Sequence, residues 1–94
     1  MMQYQVLYWR DIPAQIKVYV SRRPSSHPLA PRFQVAIDGI SMQEGLTGSD
    51  EYLELWQWSE KRDFDGDAET AAETLLAQTE AEGDVVIAQY KGKP

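Results

Sequence analysis

Apolar and polar residues alternate from the start of the chain. In Gln3-Tyr4-Gln5-Val6-Leu7-Tyr8-Trp9-Arg10, the side chains of Tyr4, Val6 and Tyr8 alternate with those of Gln5, Leu7 and Trp9. That two-residue period, rich in aromatic and branched types, predicts a strand covered in part on both faces. Pro13 has no amide to donate and holds Ile12 out of the helical region, so residues 11–15 read as a turn or short irregular connection. Ile16, Val18 and Val20 then alternate with Lys17, Tyr19 and Ser21. This second strand, over residues 16–22, pairs with the first as an antiparallel hairpin. Residues 21–31 contain Pro24, Pro28 and Pro31 and read as a loop, with Pro31 suited to the first turn of the following helix. Phe33, Ala36, Ile37 and Ile40 recur at three- and four-residue spacing, an amphipathic helix that closes near Gly45 as its C′ glycine.

Thr47-Gly48-Ser49-Asp50-Glu51 combines turn residues, an N-cap and acidic first-turn positions, which predicts a short helical turn through Tyr52 and Leu53. Alternation returns over residues 54–64, with Trp56, Trp58, Glu60, Arg62 and Phe64 on one side and Leu55, Gln57, Ser59 and Lys61 on the other. This third strand ends at Asp65-Gly66-Asp67. Ala68, Ala71, Ala72, Leu75, Leu76 and Thr79 define a second amphipathic helix, capped by Asp65 or Asp67 and stopped by Gly83. Residues 85–90 read as a fourth strand and 91–94 as a frayed tail. The expected order is ββαβαβ, an α+β two-layer sandwich with a mainly antiparallel four-stranded sheet and two helices on one face. The other face would carry Trp and Tyr side chains, and an exposed aromatic sheet face marks a partner surface. Register decides which aromatics face out, because a one-residue slip reverses every side chain.

A length of 94 residues supports one domain, 1–94, and 43% hydrophobic with 26% charged residues is a globular composition. Having no cysteine, the chain has no disulfides, no thiolate metal site and no cysteine nucleophile, and a single histidine leaves little for a nitrogen-ligated metal. No cofactor is expected. The formal charge of −6 argues against nucleic acid as a partner, since phosphate contact relies on clustered Lys and Arg. Charge is also divided along the chain. Residues 1–47 carry five Lys and Arg against three Asp and Glu, whereas residues 48–94 carry four against twelve. That acidic half reads as a solvated helix face, or as a docking face for a basic partner. The longest apolar runs are far short of the roughly 20 residues that span a bilayer. The N-terminus shows neither the basic nor the apolar region of a secretory signal, so a cytoplasmic, non-membrane protein is expected.

Few residues offer chemistry. Asp63-Phe64-Asp65-Gly66-Asp67 resembles the opening of a calcium loop. An EF-hand starting at Asp63 would need Gly and Glu where Ala68 and Thr74 stand, so helix capping is the better reading. His27 lies in the proline-rich segment without a second histidine or a nucleophile motif. Glu80 with Glu82, or Asp63 with Asp65, lack the burial that separates the pKa values of a glycosidase pair. Gly45 and Gly48 make no phosphate loop. Arg22 and Arg23, with Arg10, Arg32 and His27, form the one basic cluster able to meet an anion or an acidic protein surface; balancing an acidic chain is the plainer role.

Tyr8-Trp9-Arg10-Asp11-Ile12-Pro13-Ala14-Gln15-Ile16 resembles the opening of a small bacterial virulence factor domain family. Arg32-Phe33-x-x-Ala36-Ile37-Asp38, Ser49-Asp50-x-Tyr52-Leu53-x-x-Trp56 and the Ala/Glu-rich second helix are similar to it as well, so the resemblance covers roughly residues 4–82. The loop over residues 21–31, with prolines in place of a more basic run, and the tail from Gly83 depart from the family pattern. Members stand alone or lie beside Nfu-like scaffold and helical-repeat regions. The resemblance therefore implies an auxiliary, non-enzymatic module that binds a partner protein, and it transfers no catalytic activity. Within the motif, Tyr8 and Trp9 serve as strand anchors, Asp11 as an acceptor of turn amides and Arg10 as the partner of an acid across the sheet or of a second protein. In the alternative, Trp9, Arg10, Asp11 and Gln15 form a recognition surface with Arg22 and Arg23 beside it, because Trp and Arg dominate interface hot spots. Two further readings stay open: a small subunit of a multi-component cofactor or methyl-transfer enzyme, and a ligand carrier that uses an aromatic sheet face.

Overall fold

The computed structural model describes residues 2–20, 24–67 and 69–91. Strands β1 (Met2–Trp9), β2 (Ile12–Tyr19) and β3 (Ser25–Pro28) are followed by helices α1 (Pro31–Gln43) and α2 (Asp50–Glu54), strands β4 (Trp56–Trp58) and β5 (Arg62–Phe64), and helix α3 (Ala71–Lys91). The fold is α+β with an antiparallel sheet, as the alternation predicts. The strands lie in the order β3-β2-β1-β4, and β5 also pairs with β1, beyond β4 along the same edge.

The β1–β2 hairpin has a shorter turn than Pro13 implies. Only Arg10 and Asp11 lie outside the strands, and Arg10 takes a positive φ of 59°. Pro13 sits inside β2 at a bulge: Tyr8 pairs with Pro13 but Leu7 pairs with Gln15, leaving Ala14 as the extra residue. A proline is tolerated at such a break because the ladder is already interrupted. Part of the proline-rich segment also becomes β3, which pairs with β2 from Gln15↔Pro28 to Val18↔Ser25. Pro28, and Pro24 just before the strand, limit this edge as a template for further pairing.

The single strand expected over residues 54–64 is two short strands. Ser59 separates them and ties the break to β1: its Oγ accepts the Val6 N–H at 2.9 Å, and its own N–H donates to the Val6 carbonyl at 2.8 Å. Helix α1 ends where Gly45 predicts. Leu46 N–H donates to Ser41 O and Gly45 N–H to Met42 O, a Schellman closure with Gly45 at φ 71°. Ser49 caps α2 by accepting the Tyr52 N–H.

The largest correction concerns the C-terminus. Residues 85–90 are helical, so among the described residues the sheet has five strands rather than four and no strand follows α3. Gly83 does not stop the helix. It is buried, and a Cβ placed there would lie 2.5 Å from Phe33 Cε1 and 2.7 Å from Pro13 Cγ. A glycine in a helix interior costs about 1 kcal/mol against alanine, and here it lets α3 approach α1 and the hairpin closely. Ala71, Leu75, Thr79, Gly83 and Ile87 form one buried row at four-residue spacing. Half-buried Val86 and Tyr90 lie along its flank, while Val85 is exposed. This amphipathic face overrides the β-propensity of Val85-Val86-Ile87.

Both α1 and α3 pack on β2. The pairs Val6↔Ile16 and Tyr4↔Val18 share one sheet face, and Val6, Ile16 and Val18 join Phe33, Ile37 and Leu75 in the core. The other face holds Gln3, Gln5, Leu7, Gln15, Lys17, Tyr19 and Trp58. Its aromatics do not form a bare platform. Lys17 Nζ lies 4.9 Å from the Trp58 ring and Lys61 Nζ 4.4 Å from the Tyr19 ring. Tyr19 O–H donates to Gln5 Oε1, and Gln5 Nε2 donates to Ser59 O.

Candidate functional site

The hairpin turn stands where the two long helices end. Arg10 finds its acid not across the sheet but at the C-terminus of α1, where it donates two hydrogen bonds to Glu44, one of them 2.6 Å from Nη1 to Oε2. A cation there also complements the helix dipole. The Glu44 carboxylate holds Arg10 charged, raising its pKa further above the ordinary arginine range. Asp11 reaches α3 instead: its Oδ1 accepts the Tyr90 O–H at 2.8 Å. Two adjacent turn residues thus fasten the ends of two helices. The backbone at Arg10 is left-handed, uncommon for a residue with a Cβ, and Arg10 bonds α1 through Glu44 while also acting on the Tyr90 phenol of α3.

Trp9 is fully buried and contributes no surface. Its indole N–H donates to Tyr52 O at 3.1 Å, its ring lies 5.8 Å from that of Tyr52, and the Arg10 guanidinium carbon sits 5.0 Å from its centroid. Trp9 thus anchors the strand, and the surface of the motif consists of Arg10, Asp11 and Gln15. Gln15 lies apart from that pair, on the polar sheet face beside the bulge. Arg22 and Arg23 lie outside the described residues. Arg32 is engaged elsewhere, with bonds of 2.9 Å from Nε and Nη2 to the two Asp84 oxygens and Glu80 at 3.6 Å. Arg32 holds the Asp84 carboxyl below its ordinary pKa.

These pairs bound a groove of about 970 Å³ between α1 and α3. Arg32 and Asp84 lie at one end and Glu44 and Tyr90 at the other, with Val35, Ala36, Ile40 and Ile87 between. Val35 is 69% exposed. Pattern reading missed this groove because ending the second helix at Gly83 removes Ile87, Ala88 and Tyr90 from it. The four-residue row running past Gly83 to Ile87 was the available signal.

Ser25 and His27 meet on β3, with Oγ 2.9 Å from Nε2. They are two residues apart on an edge strand, where neighbours on one face touch by geometry, and among the described residues no acid orients the ring. No group of three or more His, Asp or Glu side chains is placed to hold a metal among the described residues, and no described helix is long and apolar enough to cross a membrane.

The Tyr90 phenol tests the hairpin clasp. Burial, then the bond to Asp11, raises its pKa above the ordinary 10.0. A folded-state pKa above the unfolded one contributes stability that is present below the unfolded value and is lost as pH rises through the folded value. Spectrophotometric titration should show Tyr90 ionising late, a step assigned by its loss in Tyr90→Phe, and Asp11→Ala should bring that step to lower pH together with part of the alkaline loss of stability. A Tyr90 step unmoved by Asp11→Ala would contradict the clasp.

No curated protein and no solved structure gives a significant match to the chain. The family model described as "Virulence factor" matches residues 7–85. That span opens just before the Tyr8-Trp9-Arg10-Asp11 hairpin and closes just after the Gly83 contact. It takes in the groove's α1 wall, the Trp9–Tyr52 anchor and most of α3, and on this match the chain belongs to the virulence factor family.

Proposed function

We propose that the protein is a non-enzymatic accessory domain that binds a partner protein, with the α1–α3 groove and the Arg10–Asp11 turn at its end as the docking surface. The observation that carries this reading is where the Tyr8-to-Gln15 hairpin puts its side chains. Trp9 is buried in the core, and exposed Arg10 and Asp11 bond the ends of the helices that form the groove. A polar clasp at each end with exposed apolar side chains between is the layout of an interface, an apolar centre with a charged rim. Exposed Val35 and half-buried Ala36 and Ile40 supply that centre on α1.

Affinity capture from lysate of the source cells tests it, comparing the native chain with Val35→Asp and with Trp58→Ala on the polar sheet face. A stoichiometric protein should be retained by the native chain and by Trp58→Ala and be lost, at least about tenfold, with Val35→Asp, since a charge in an apolar contact costs more than 1.4 kcal/mol. Val35 is exposed, so the fold tolerates the change. Undiminished capture by Val35→Asp would move the interface away from the groove.

A further inference from the structure

Pro13 packs against α3 at Gly83, but the next two residues of the motif, Ala14 and Gln15, open onto a second, separate cavity. A pocket of about 460 Å³ lies between the bulge in β2, the segment joining β3 to α1, and β4. Leu7, Ala14, Pro28, Leu29, Ala30 and Pro31 supply apolar wall, Trp56 supplies an indole, and Gln15 and Gln34 supply two amides. Among the described residues no charged side chain lines it, although 26% of the chain is charged. The bulge creates the space: Ala14, the extra residue, brings only a methyl group, and its carbonyl is occupied by the Leu29 N–H at 3.0 Å. Trp56 is held from behind, edge-on to Tyr52 at 6.2 Å and 83°.

Among the described residues, neither the Gln15 amide nor the Trp56 indole N–H has a hydrogen-bond partner. Gln34 Nε2 uses one of its two hydrogens on Asp38. The pocket therefore presents spare donors, a flat aromatic ring and neutral apolar walls. An extended polyproline II segment matches this set. Such a segment has no internal hydrogen bonds and leaves its carbonyls for outside donors, its proline rings bring no N–H that would need an acceptor, and its rings stack on indole.

We propose that this pocket binds an uncharged, proline-rich extended segment of a partner protein. Trp56 and Leu7 receive a proline ring, while the Gln15 amide and the Trp56 indole N–H donate to the segment's carbonyls. The site shares no lining residue with the helix groove, so it stands or falls independently of the reading above.

Titration of the ¹⁵N-labelled full chain with a decaproline peptide, followed by NMR, tests it. Saturable shifts are expected at the Trp56 indole and Gln15 side-chain amide, with none at Val35 or Ile40. Gln15→Ala, a surface change, should weaken binding about tenfold through the loss of one hydrogen bond. No saturable shift at millimolar peptide, equal affinity in Gln15→Ala, an equal response to a Gly-Ser peptide of the same length, or shifts confined to the α1–α3 groove would each overturn the assignment.

Discussion

Trp9→Ala should cost about 3–5 kcal/mol, the range for deleting a fully buried large aromatic. A domain of this size has a total stability of about 5–14 kcal/mol, so the variant will be only marginally folded, with a melting midpoint lowered by more than about 12 °C. Two losses add here. The cavity left in the core is one, and the other is the Tyr52 carbonyl, which loses the indole N–H it accepts at 3.1 Å. Trp9→Phe separates them, keeping most of the volume while removing the donor, and should cost about 1–3 kcal/mol. Urea unfolding followed by far-UV circular dichroism reads both. A Trp9→Ala loss under about 1 kcal/mol would return Trp9 to the surface and revive it as a recognition residue.

Gly83→Ala should destabilise the protein by about 2 kcal/mol, although alanine is the better helix former. Helix propensity alone predicts a gain of about 1 kcal/mol. Against it stands a methyl group placed 2.5 Å from one ring carbon and 2.7 Å from another. Neither neighbour gives way easily, since Phe33 is 1% exposed and Pro13 is buried in the bulged strand. Overpacking of this kind costs about 1–3 kcal/mol and can cost more, and the contact is close enough for the upper part of that range to win. The sign is therefore the test. A helix ending at residue 83, or a glycine facing solvent, would make the substitution neutral or stabilising. Phe33→Leu adds a second check, because it should cost about 1 kcal/mol less in the Gly83→Ala background than alone, a coupling that residues without contact do not show.

The parts of the fold legible in the sequence are those set by near neighbours. Gly45 could be read as a helix C′ residue and Ser49 as a cap because both motifs close within six residues. The hairpin was legible from alternation. Gly83 was misread because its reason lies in Phe33 and Pro13, 50 and 70 positions away, while the local rule makes a late glycine a helix stop. Val85-Val86-Ile87 misled for a related reason: a short apolar run fits a buried strand or one face of a helix equally well. At the candidate site, the Tyr8-to-Gln15 motif stood out in composition, but the direction of each side chain did not. Trp9 turns inward, Arg10 and Asp11 turn to different helices, and Gln15 is carried to the sheet face by a bulge that Pro13 only hints at.

The central strand carries a consequence for how the chain comes together. β1 pairs on one edge with its immediate neighbour β2, yet its second edge is completed only by residues 56–64, where Met2 meets Phe64 and Trp9 meets Trp56. These closures span some 50 to 60 residues, so sheet completion is dominated by distant pairings, which places folding toward the slow end for a small domain. The uneven charge then acts within the molecule. Arg32, from the net-positive first half, meets Glu80 and Asp84 of the acidic second half. Part of the acidity that could meet a basic partner is thus met by the chain's own cation.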